Sequence, residues 1–137
     1  MINRFIEQLG KDVDIPVPTH AGNDGCFHLD FDPNLHIRAC EYNGQSIGLQ
    51  CLIAPLPQEK KEEFFLRCME ANLLGNETGG ACLGVDNQEA HVVLSLTLSS
   101  CGSYKEFRDA VEDFLNYADA WRQETLVFSE LNNETVG

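Results

Sequence analysis

Tyr104, Phe107, Val111, Phe114, Ala118 and Trp121 follow one another at spacings of 3, 4, 3, 4 and 3. Only an α-helix puts residues so spaced on one face, so the C-terminal third is committed to a long helix lying on something apolar. Ser103 and Glu106 stand where a capping box needs them, each able to bind an orphan amide of the first turn. The stripe fades after about Gln123, and a loose tail is expected from about residue 126. Immediately before the helix, residues 90–99 carry a period of two instead. Val92, Leu94, Leu96 and Leu98 alternate with Val93, Ser95 and Thr97. That is a half-buried strand with a polar face.

The rest of the chain fits around these two elements. Ile2, Phe5, Ile6, Leu9 and Val13 give a short amphipathic first helix. Pro16, Pro18 and Gly22-Asn23-Asp24-Gly25 form a loop. Residues 26–31 and 35–41 alternate as strands about the turn Asp32-Pro33-Asn34. Asn43-Gly44, where positive φ is tolerated, turns the chain into a third strand over residues 47–54. Pro55-Leu56-Pro57 opens a second helix, with Pro57 in its first turn, that ends at Gly75. Phe64, Phe65, Leu66, Cys68, Met69, Ala71, Leu73 and Leu74 make its apolar arc too wide for one buried stripe. The helix is therefore expected to bury two faces. A strand over residues 81–85 follows the tight Gly75–Gly80 connection. The order is α-β-β-β-α-β-β-α, an α+β fold with an antiparallel sheet packed by helices, in one domain over residues 1–137.

Nine Lys+Arg against 22 Asp+Glu leave a formal charge of −13. Such a chain repels phosphate backbones and anionic lipid surfaces, so neither nucleic acid nor membrane is expected as a partner. No apolar run reaches membrane-spanning length, and the first residues lack the apolar core of a secretory signal. A cytoplasmic protein is expected. The six cysteines, at 26, 40, 51, 68, 82 and 101, then read as reduced and mostly buried. Cys26, His28, His36 and Cys40 could converge if the first two strands pair, and they form a zinc-compatible set. Structural zinc ligands in small folds sit on turns at C-x2-4-C spacing, which is absent, so the set reads as a sheet face with two exposed histidines. Cys101, just before a helix N-terminus, is the best-placed thiol for a nucleophile, yet no Asp/Glu/His cluster accompanies it. Neither catalysis nor a metal is expected.

The stretch Met69-Glu70-Ala71-Asn72-Leu73-Leu74-Gly75-Asn76-Glu77-Thr78-Gly79-Gly80-Ala81-Cys82-Leu83-Gly84-Val85-Asp86, followed by Val92-Val93-Leu94-Ser95-Leu96, resembles the class I type III secretion chaperones. It is similar to their second helix, glycine-rich connection and last two strands. The resemblance spans about residues 1 to 125, and the short acidic form is similar to those encoded beside effectors of plant-pathogenic bacteria. It implies a bacterial cytoplasmic homodimer that holds an N-proximal segment of a secreted virulence effector, keeping it soluble and export-competent. It also implies no nucleotide, no cofactor and no catalysis. By position, Phe64, Phe65, Cys68, Met69, Asn72 and Leu73 are expected at the dimer interface. Phe5, Ile6, Leu9, Phe27, Leu29 and Phe31 are expected in the effector groove. A regulatory adaptor of the same fold, or a small Cys/His enzyme or zinc protein, is the alternative.

Overall fold

A computed structural model describes residues 2–86, 88 and 90–134. The elements are α1 (Ile2–Val13), β1 (Cys26–Asp32), β2 (Leu35–Tyr42), β3 (Ser46–Pro55), α2 (Lys61–Leu74), β4 (Cys82–Asp86), β5 (His91–Leu98) and α3 (Tyr104–Glu134). This is the expected order. The strands form one antiparallel sheet, β1-β2-β3-β5-β4, so β1 and β4 are its edges.

The sheet's inner face carries Phe27, Leu29, Ile37, Ala39, Ile47, Leu49, Cys51, Val92 and Leu94, all buried. Phe107, Val111, Phe114, Ala118 and Trp121 of α3 lie in the same core, as their spacing requires. The capping box forms. The Ser103 hydroxyl accepts from the Glu106 amide at 3.2 Å, and the Glu106 carboxylate accepts from Gly102 at 2.9 Å, one residue earlier than the usual pattern.

Two boundaries differ from the sequence reading. α2 starts at Lys61, because Lys60 adopts a left-handed conformation (φ 54°). Leu56 is buried and its amide bonds to Ala90 O at 2.8 Å, which keeps the Pro55–Pro57 segment extended. Proline also disfavours helical geometry in the residue before it. At the other end, the loose tail gives way to helix. α3 continues to Glu134, held by Phe128 against Phe64 (centroids 5.2 Å apart) and by buried Thr125. Tertiary contact rather than an internal stripe extends it. Residues 135–137 lie outside the described residues.

The connection between α2 and β4 is pinned from both sides. Arg67 donates to both carboxylate oxygens of Glu77 (3.0 and 2.7 Å) and to Glu124 of α3 at 3.1 Å, with its guanidinium 5.1 Å from the Trp121 ring centre. Trp121 Nε1 donates to Glu77 O at 2.8 Å. The bond from Arg67 holds the Glu77 carboxyl below the usual carboxylate range. Gly79 sits at φ 64° against the Tyr117 ring, and a side chain there would strike that ring.

Candidate functional site

A cleft of about 520 Å³ opens between the end of α1, the end of β1 and α3. Leu9, Val13, Phe31, Val111 and Leu115 line it, and Asp12, Arg108, Glu112 and Asn116 complete the wall. α1 is fastened beside it. Phe5 stacks on Phe107 at 5.4 Å, and the Tyr104 hydroxyl donates to Asp12 at 2.5 Å. Burial and that carboxylate push the Tyr104 phenol up to about 12.

The residues expected in a groove separate by depth. Ile6, Phe27 and Leu29 are core, and Leu9 is core while its surface also reaches the cleft. Their side of α1 and β1 is the side that closes on the sheet. Phe5 and Phe31 are half-buried, and of these Phe31 faces the cleft. Val13 and Val111 were read from the sequence as members of helix stripes and not as cleft residues, and Leu115 was not singled out. The row 108, 111, 115 at helical spacing on the flank of α3 was the signal available for them.

The residues expected at an interface divide the same way. Phe64 and Cys68 turn inward with Ala71 and are buried. Phe65, Met69 and Leu73 are exposed, Met69 to 66% and Leu73 to 78%, with Leu66 and Leu74 beside them. Asn72 acts on β4: its amide nitrogen donates to Leu83 O at 3.0 Å and its oxygen accepts from the Leu83 amide at 2.8 Å.

The outer sheet face carries the Cys/His group. Cys26 opposes Cys40, His28 opposes Arg38 and Asp30 opposes His36. Two of the six thiols expected to be reduced are instead joined, Cys26 to Cys40, because register places them directly across a narrow pair with Cα atoms 4.4 Å apart. His28 Nε2 lies 3.0 Å from Asp24 Oδ2, and His36 Nδ1 lies 2.6 Å from Asp30 Oδ1. The Asp30 bond raises the His36 pKa. Among the described residues no three His, Cys, Asp or Glu side chains cluster as a metal would require. Cys51, Cys68 and Cys101 are buried, and burial pushes the first two thiols up to about 11, away from nucleophilic use. Cys82 is exposed.

The profile of the Tir chaperone protein (CesT) family matches residues 4–122, nearly the whole described fold. The chain belongs to the CesT family. Its resemblance to the class I type III secretion chaperones is thereby family membership. One relative, a Chlamydia pneumoniae protein designated CPj0713/CpB0740, is 29% identical over 122 residues, covering 88% of this chain and 93% of its own. The same fold recurs in the crystal structure of the ExsC–ExsE complex, with a TM-score of 0.75 at 15% identity over 90% of this chain and 92% of that one. It recurs in the HopA1–SchA chaperone–effector complex, TM-score 0.65, 15% identity, 90% and 97% covered. It recurs again in the ExoU–SpcU complex of the Pseudomonas aeruginosa type III secretion system, TM-score 0.64, 14% identity, 91% and 94% covered. No helix among the described residues of this CesT-family chain is long and apolar enough to cross a membrane.

Proposed function

We propose that this chain is a homodimeric effector chaperone, holding an N-proximal segment of a type III secreted protein in a soluble, export-competent form in the bacterial cytoplasm, without nucleotide or catalysis. The observation that carries the reading is the apolar cleft between α1, Phe31 and α3. It lies at the end of an edge strand, where a guest can fill the cleft and pair with the backbone together. Cys26 belongs to a narrow pair, so its amide and carbonyl point away from β2. Both bond there, to Asp24 Oδ1 (3.0 Å) and Gly22 N (2.9 Å). By the same alternation the backbone groups of His28 and Asp30 face the outer edge, next to the cleft. Solved complexes of the same fold are chaperone–effector complexes, which supports the same use here. An apolar guest surface offsets the ordering entropy of a bound segment, and the charge of −13 keeps the complex soluble.

The exposed face of α2 supports the dimer. Phe65, Met69 and Leu73 recur at i, i+4 and i+8, flanked by Leu66 and Leu74. A contiguous apolar patch of this kind on a water-soluble fold marks a contact surface. The test is co-expression with a candidate type III secreted protein, followed by affinity capture. Wild type should retain that protein and Val13→Asp should lose most of it, since Val13 is exposed and its replacement spares the core. Equal capture by both would remove the cleft from the proposal.

A further inference from the structure

We infer that the last three turns of α3, beyond the span matched by the CesT family, form the second half of the surface that receives another copy of this chain. The inference rests on the dimer reading of α2. α3 runs antiparallel to α2, with Phe128 on Phe64 and Glu124 on Arg67. Glu124, Val127 and Leu131 share one row of α3 at i, i+3 and i+7. Glu124 fixes that row on the flank facing α2, so Val127 and Leu131 prolong the same flank. Both are exposed, to 50% and 59%.

Area decides the occupant. α2 has 14 residues, so it is about 21 Å long. A face one helix wide then has a flat outline of roughly 200 Å², and even with side-chain relief added it stays short of the ~800 Å² of accessible surface that each partner gives to a stable interface. α2 alone falls short, and its flanks must contribute. The β4 flank adds the exposed Val85, and the α3 flank adds Val127 and Leu131. Together α2, Val85 and this end of α3 hold eight of the eleven large apolar side chains exposed among the described residues. The cleft proposed for the effector lies at the other end of α3, around residues 108–116. A second copy is therefore the occupant that fits this end.

The test is the dimer dissociation constant by sedimentation for wild type, Met69→Asp, and the double variant Val127→Asp/Leu131→Asp. Circular dichroism monitors helix content, and the milder pair Val127→Ser/Leu131→Ser guards against helix fraying. The aspartate pair should raise the constant at least tenfold, and the serine pair should shift it in the same direction. If Met69→Asp gives monomer while both α3 pairs stay within twofold of wild type, the α3 surface is wrong and the α2 reading stands. If the α3 pairs split the dimer but Met69→Asp does not, the interface is on α3 and the α2 reading falls. Wild type that stays monomeric at the highest concentration sedimented overturns both. An intact dimer that loses the co-expressed effector assigns this end of α3 to the effector and overturns the inference.

Discussion

α1 and α2 are short helices of similar length, 12 and 14 residues, and both carry more than one row of apolar side chains. They use them differently. α1 turns Ile2, Ile6 and Leu9 into the core and stacks Phe5 on Phe107, leaving Val13 as its exposed large apolar side chain. α2 buries Phe64, Cys68 and Ala71 and leaves Phe65, Leu66, Met69, Leu73 and Leu74 in water. One face of each helix closes on the sheet. The remainder is a narrow fringe turned toward α3 in α1 and a second full face in α2. Apolar content alone does not mark a binding helix. The surplus beyond what one sheet can cover does.

Several substitutions can break or sharpen that contrast. The largest effect is expected from Ile6→Asp, which puts an unpaired charge at a site 1% exposed. It should cost about 4 kcal/mol or more and leave little folded protein by circular dichroism. A folded, cooperative Ile6→Asp would mean that α1 is not core. Met69→Asp should instead preserve the protomer, changing its unfolding free energy by no more than ~1 kcal/mol, while sizing shows a monomer. Unfolding by this variant would make α2 a core helix like α1 and erase the distinction. Phe5→Ala comes next. A half-buried ring stacked on Phe107 should be worth roughly 1–2 kcal/mol in denaturant melts, and a cost near that of a buried phenylalanine would place Phe5 deeper than observed. Tyr104→Phe removes only the bond to Asp12 and should cost about 1 kcal/mol or less. The smallest effect lies off both helices. His36 has its pKa raised by Asp30. Its contribution is full below the unfolded value of 6.5 and is lost as pH rises through the raised folded value. His36→Gln should flatten that weak decline in stability, and an unchanged slope would assign it to other groups.

Much of the fold was legible in the sequence because it is periodic. The stripe of α3, the alternation of β5 and the Ser103–Glu106 box each name an element from spacing alone. Spacing says which residues share a face but not which way the face turns. Phe27, Leu29 and Ile6 therefore read as groove candidates until the sheet closed over them. Phe64 and Cys68 similarly went to the interface until α2 was rotated onto the core. The missed starts and ends have another cause. Lys60 in a left-handed conformation and Phe128 docked on Phe64 depend on partners distant in sequence. The convergence of Cys26 and Cys40 was legible from the turn between their strands, but the expectation of reduced thiols left out the bond that their register allows.

Asn72 on Leu83 bears on how readily this sheet can be extended by another strand. An amide side chain offers a donor and an acceptor side by side, as a neighbouring strand would, and here it occupies both backbone groups of Leu83 on the rim of β4. A sheet with two vacant rims can stack on copies of itself without end, and each addition presents a fresh template for the next. With Leu83 occupied by its own helix, the β4 rim is a poorer template for an added strand. A rim closed in this way is a weaker seed for strand-stacked aggregates than a bare one.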